Sequence, residues 1–259
     1  AVQVAAGTYT EQVVVDGKNL TITGAGAGAS IVKSPASLAT SFTTSAANFP
    51  VVLLENAADI RLSGVTVDGD GQGAANYRFM GVAFWNAGGK LLDCDVVRVR
   101  DTPFNGSQHG NAVYAYNNTG GPYAIEVGNC TVSDFQKNGI TMNGTGLTAD
   151  VHDCTVTGQG STTVTAQNGI QVAFGAGATL SDNAISGIGY TGTNNAVASG
   201  LLLYGPGAAT TVSGGSVTNS QMGCYVADMD ANVSGLAASS RKGGAPNLVM
   251  RSIAGTASC

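Results

Sequence analysis

Three stretches of the chain hold side chains able to do chemistry. Asp68-Gly69-Asp70-Gly71 sets two carboxylates in a Gly-rich turn, which can either offer oxygen ligands to calcium or serve only as an acidic turn. Arg98 and Arg100 alternate with Val97 and Val99 just ahead of Asp101, so in an extended chain their guanidinium groups share one face. Such a group beside a carboxylate is either a reactive cluster or a surface ion pair. His109 lies in Gln108-His109-Gly110, where an imidazole suits general acid and base work. His152, beside Asp153 at a turn, reads as structural. The candidate catalytic residues are thus Asp68, Asp70, Arg98, Arg100 and His109, with Arg78 adjoining them.

The elements that must position these groups are legible from a repeat. Asn138-Gly139-Ile140-Thr141-Met142 followed by Asp153-Cys154-Thr155-Val156 recurs as Asn168-Gly169-Ile170-Gln171-Val172 followed by Asp182-Asn183-Ala184-Ile185. The runs between Gly, Asn and Asp are too short for helices, and self-similarity at this period marks a solenoid. A solenoid built only of strands is a parallel β-helix. Aligned on the last strand of each coil, the pairs are Val65/Val67, Cys94/Val96, Cys130/Val132, Cys154/Val156, Asn183/Ile185, Gly215/Val217 and Leu236/Ala238. The residues just before six of them (Gly64, Asp93, Asn129, Asp153, Asp182, Gly214) tolerate the left-handed backbone of a sharp corner.

The same register assigns inward columns to the first strand of each coil: Val52/Leu54, Val82/Phe84, Val113/Ala115, Ile140/Met142, Ile170/Val172, Leu201/Leu203 and Cys224/Val226. Two outward columns follow. One reads Leu53, Ala83, Tyr114, Thr141, Gln171, Leu202, Tyr225, and the other Glu55, Trp85, Tyr116, Asn143, Ala173, Tyr204, Ala227. Flat amphipathic rings along an extended face suit a linear polysaccharide. Glu55, Trp85, Tyr114, Tyr116, Tyr204 and Tyr225 are therefore the candidate substrate-binding residues, although aromatics also favour strands for packing alone.

Composition narrows the function classes. The net charge of −5 argues against a nucleic-acid partner, which would want a basic stripe. No run approaches the roughly 18 apolar residues of a membrane span. Five cysteines are an odd number; Cys94, Cys130 and Cys154 occupy one stacked position and are expected as packed free thiols, because parallel Cβ vectors suit a disulfide poorly. Cys224 and Cys259 are the better candidates for a bond pinning the tail. Residues 1–259 are expected as one β-helix domain, with loops at 34–50, 69–80 and 102–111 and a cap at 241–259. The opening Ala1-Val2-Gln3-Val4 is already strand-like, as in a chain processed upstream.

The segment Val2-Gln3-Val4-Ala5-Ala6-Gly7-Thr8-Tyr9-Thr10-Glu11, with Leu20-Thr21-Ile22-Thr23-Gly24 and the Asn-Gly-Ile repeats, resembles the pectate-lyase-like right-handed parallel β-helix superfamily. The resemblance covers nearly the whole chain and implies an all-β, right-handed solenoid of about seven to nine coils. It also implies secretion or a cell-surface location and a polysaccharide partner. In lyases of that group an arginine beside a carboxylate abstracts a sugar proton or holds a uronate, with calcium as a possible cofactor. The superfamily also holds hydrolases, tailspikes and adhesins, and fold does not choose among them. The Asn-Thr-Asp and Asp-Asp strings of the pectin hydrolases do not occur here. Two readings stay open: a carbohydrate-active protein with lyase-like cleavage, or a non-catalytic adhesin or scaffold capable of self-association.

Overall fold

The computed structural model describes residues 1–207, 210–227, 232–240 and 248–251. Each coil visits three parallel sheets in turn. Ala47–Glu55 enters the first sheet, Ile60–Ser63 the second and Thr66–Asp68 the third; the next coil repeats this with Phe79–Trp85, Gly89–Leu92 and Asp95–Val97. Among the described residues the first sheet has ten strands and the other two have nine each. The result is the right-handed parallel β-helix expected from the repeats.

Period-2 alternation fixes which side chains point in. The first-sheet columns stack in the expected register, Val52 on Val82 on Val113 on Ile140 on Ile170 on Leu201 on Cys224, and their side chains are buried. One continuous apolar cluster runs from Val15 to Val226. Stacking like on like closes this core coil upon coil, with no strand edge in mid-chain. The corners carry positive φ where anticipated: Gly64 63°, Asp93 54°, Asn129 52°, Asp153 53°, Asp182 54° and Gly214 62°. Short polar side chains tolerate this region by bonding locally, as when Asn129 Nδ2 donates to Asp93 Oδ1 at 2.6 Å.

Cys94, Cys130 and Cys154 are buried free thiols, each donating to the backbone carbonyl two residues before it, at 3.1, 3.3 and 3.2 Å. Cys224 is buried, and Cys259 lies outside the described residues. Of the expected cap, only Leu248–Arg251 is described; it pairs with Cys224–Ala227 and extends the first sheet. No helix among the described residues is long and apolar enough to cross a membrane.

The three long loops do more than connect coils. Within 34–50, Phe42–Thr43 turns back and pairs antiparallel with the start of Ala47–Glu55. This lays Phe42 on the outer face of the first sheet, where it packs with Leu53, Met80 and Ala83. Leu53 and Ala83, expected to face solvent, are fully buried as a consequence, and Thr141 is 1 % exposed. Asn76, in the 69–80 loop, binds the 34–50 loop by accepting from Leu38 N–H at 2.8 Å and donating to Ala36 O at 3.2 Å.

Candidate functional site

The outward columns of the first sheet hold their register across coils, with Glu55 beside Trp85, Trp85 beside Tyr116 and Tyr116 beside Asn143. Ring geometry then decides what these aromatics can offer. Trp85 and Tyr116 are parallel to within 7° at 5.5 Å between centroids, and Phe42 lies 4.7 Å from Trp85 at 26°. Rings that close and that parallel cannot lie side by side in one plane, so they overlap face to face in an offset stack. Phe42, Trp85 and Tyr116 therefore cover one another, and the expected run of flat platforms becomes a wall. The wall ends at Tyr116, because the next residue in its column is Asn143.

Beyond that wall opens a cleft of about 460 Å³ lined by Thr44, Ser45, Arg78, Tyr114, Tyr116, Asn118, Asn143 and Phe174. Asn143, in its lining, ends a chain of amides that runs along the sheet. Asn168 Nδ2 donates to Asn138 Oδ1 at 3.0 Å, Asn138 Nδ2 to Gln171 Oε1 at 3.2 Å, and Gln171 Nε2 to Asn143 Oδ1 at 3.2 Å. Burial pushes the Tyr114 phenol up to about 12, against a hydrogen bond with Asn143. The far wall is Phe174, 58 % exposed and set edge-on to Tyr204 at 5.9 Å. Phe174 has φ 55°, an uncommon conformation for a bulky side chain and one that collects at functional positions.

Arg78 is the cleft's charged side chain. Its guanidinium donates to Thr44 Oγ1 and Ser45 Oγ, both at 2.9 Å, and lies 5.8 Å from the Tyr77 ring. Its backbone, at φ 51°, is held from behind: the Arg78 N–H donates to His109 Nδ1 at 3.0 Å, and His109 Nε2 meets Asp101 Oδ1 at 2.7 Å. This arrangement assigns the tautomer, because a ring nitrogen that accepts carries no proton; Nε2 is the protonated nitrogen and donates to Asp101. Asp101 is 2 % and His109 7 % exposed. Burial raises the Asp101 carboxyl, but hydrogen bonds from Asn105 and His109 outweigh it and hold the group below the usual carboxylate range. His109, expected as an acid or base, has both ring nitrogens engaged inside the wall of the cleft.

The other candidates lie elsewhere. Asp68 receives Arg98 through Nε at 2.7 Å and through Nη2, while Asp70 takes Lys33 at 2.9 Å and Arg98 at 3.3 Å. These carboxylates already face cations, and they belong to no group of three or more His, Cys, Asp or Glu able to hold a metal among the described residues. Arg98 and Arg100 do not act together: Arg98, at φ 55°, reaches back to Asp68, and Arg100 Nε reaches forward to Asp134 at 2.7 Å. The alternation fails because the third-sheet strand ends at Val97. Tyr225 lines a separate depression with Lys137, Asn168, Asn195 and Leu202. Glu55 lies beside Asp16 in the adjoining coil, a carboxylate neighbour that alignment from Val51 onward leaves out. Burial and then the Asp16 charge push the Glu55 carboxyl up. Phe42, Asn118 and Phe174 were also missed; the one local signal was the Phe174-Gly175 turn closing its strand.

The molecule is thus a right-handed parallel β-helix with an open, aromatic-walled cleft on its first sheet. Residues 60–234 match the family described as periplasmic copper-binding protein (NosD), and the chain belongs to that family. The family description agrees with the extracytoplasmic location expected from the sequence. No curated protein sequence matches the chain. Among solved structures it is similar to the catalytic domain of a GH87 α-1,3-glucanase in complex with nigerose, at 14 % identity and TM-score 0.44, over 91 % of this chain and 40 % of that one. It is also similar to the catalytic unit of the thermostable GH87 α-1,3-glucanase from Streptomyces thermodiastaticus strain HF3-3, at 14 % identity and TM-score 0.27, over all of this chain and 63 % of that one. The chain thus spans less than two thirds of each.

Copper takes imidazole or thiolate ligands, and the described residues do not present a group of them. Both histidines have both ring nitrogens engaged, His152 with Asp153 at 2.9 Å and Glu126 at 3.4 Å. The Cys94 thiol is pushed up to about 11 by burial, and Cys94, Cys130 and Cys154 face the apolar interior. No group of three or more His, Cys, Asp or Glu able to hold a metal occurs among the described residues. The donor set does not fit copper.

Proposed function

We propose that the chain is a glycan-binding β-helix that works outside the cytoplasm, taking a segment of polysaccharide in the first-sheet cleft. The observation that carries this reading is the joint lining of that cleft: Tyr116 on one wall, Phe174 on the other, and Asn143, Tyr114 and Asn118 between them. Sugar rings offer CH faces to aromatic walls and hydroxyls to amides and phenols, and such sites combine apolar walls with a few placed polar groups. The role is binding rather than lyase-like cleavage, since Asp68, Asp70, Arg98 and Arg100 are tied up in ion pairs away from the cleft.

Calorimetric titration against a panel of neutral and uronic polysaccharides tests the reading. Each ring contributes about 0.5–1.5 kcal/mol, so Tyr116→Ala and Phe174→Ala should each weaken binding by roughly two- to twelvefold. No binding across the panel, or binding indifferent to both variants, would refute it. A second reading attaches to Asp16 and Glu55: two carboxyl groups one coil apart, the Glu55 carboxyl raised, are the kind of pairing that glycoside hydrolysis uses. New reducing ends that disappear in Glu55→Gln would favour hydrolysis, whereas ends absorbing near the ultraviolet edge would restore the lyase reading.

A further inference from the structure

The second sheet carries an outward column in which charge reverses halfway. Successive coils place Thr21, Arg61, Lys90, Glu126, Asp150 and Thr179 side by side. Two cations are followed by two anions, flanked by threonines, and beyond Thr179 the column runs on to Thr211. The face around them is open: Ala124 and Thr148 lie alongside, and a shallow trough of about 490 Å³ runs over Asp59, Lys90, Glu126 and Asp150. Small residues flanking a charged ridge allow another sheet to approach to about 10 Å, the ordinary face-to-face spacing.

We propose that this face docks a second copy of the chain, with the two rods antiparallel about a two-fold axis lying along the strand direction. Such an axis keeps each column opposite itself and reverses its order, as an isologous interface requires. Centred between Lys90 and Glu126, it sets Arg61 opposite the partner's Asp150, Lys90 opposite the partner's Glu126, and Thr21 opposite the partner's Thr179. Within one chain Lys90 already pairs with Glu126, so at the centre four charges alternate in sign around the axis. Arg61 is held by Asp59 through Nε at 3.0 Å and Nη2 at 2.8 Å, which fixes it in place while leaving Nη1 for the partner. His152, 3.4 Å from Glu126, borders the ridge in the neighbouring column. Parallel rods would instead bring cation onto cation and anion onto anion, so the pattern selects one orientation. The first-sheet cleft belongs to another face and stays open in each copy.

Sedimentation equilibrium on the wild type, Arg61→Glu, Asp150→Arg and the double variant tests the proposal. The wild type should dimerise and weaken as salt rises from 0.05 to about 0.5 M, because partly exposed charges are screened. Each single variant should weaken association by about tenfold or more, and the double variant should return to within about threefold of wild type, since the exchanged charges face each other again. Disulfide trapping gives a second measurement: Thr21→Cys with Thr179→Cys should cross-link two chains, and Thr179→Cys alone should not. A monomer under all conditions, a dimer unmoved by either single variant, or a double variant no tighter than the singles would overturn the proposal.

Discussion

Replacing His109 by alanine separates a positioning role from a chemical one. In the native protein Nε2–H donates to a carboxylate that is 2 % exposed, and Nδ1 accepts the N–H of Arg78. The substitution deprives Asp101 of a charge-assisted hydrogen bond, leaving it Asn105 at 2.7 Å, Gln136 at 3.4 Å and Ser107. It also strands a backbone donor in a left-handed turn. An unsatisfied buried group costs about 1–3 kcal/mol, more where charge is involved, and two are affected, so a loss of about 2–4 kcal/mol is expected. For a chain of this size that lowers Tm by roughly 5–15 °C. Urea denaturation followed by circular dichroism measures it, with His109→Gln recovering part of the loss because an amide can accept and donate. Glycan affinity should fall in parallel as Arg78 is released. A His109→Ala protein within about 0.5 kcal/mol of wild type, yet unable to bind or cleave a glycan, would mean that the imidazole acts on ligand and that the positioning argument is wrong.

Other outcomes follow from the same geometry. The depressed Asp101 carboxyl contributes stability that is whole above its unfolded-state value near 3.9 and is lost as pH falls through the lower native value; Asp101→Asn should flatten this acid limb of the stability curve. Phe42→Ala uncovers the protein's single Trp, so Trp85 emission should shift to the red, and unchanged emission would contradict the stack. Millimolar calcium should leave Tm unmoved, whereas Arg98→Ala should lower stability by about 1–3 kcal/mol by leaving Asp68 without its main cation. Ile140→Ala, in the middle of the inward column, should cost about 2–5 kcal/mol.

The solenoid was readable because its physics is periodic. Alternation of two and the need for left-handed corners leave a trace in every coil, and Asp93, Asn129, Asp153 and Asp182 mark it. Column neighbours such as Trp85 and Tyr116 followed directly from register. What register does not give is the direction a ring faces, so a ladder of aromatics and a closed stack look alike in sequence. The loops are aperiodic, and nothing in the Ser, Thr and Ala of 34–50 marks Phe42 as the residue that folds back over the sheet. Asp16 escaped for a related reason: that insertion separates it from Glu55, so the coil it belongs to falls out of step. The candidate charges stand in loops and are recognisable by residue type, but the partners that neutralise Asp70, Asp68 and Arg100 sit on other coils, at Lys33, Arg98 and Asp134 respectively.

The most direct test of the cleft uses Trp85 as its own reporter. It stacks on the wall-forming Tyr116, so oligosaccharide fragments entering the cleft should change its fluorescence in a saturable way. The midpoint should move to higher concentration in Phe174→Ala and stay in place in Tyr225→Ala. A signal that never saturates with any neutral or uronic fragment, or one abolished by Tyr225→Ala and indifferent to Phe174→Ala, would show that glycans do not bind there.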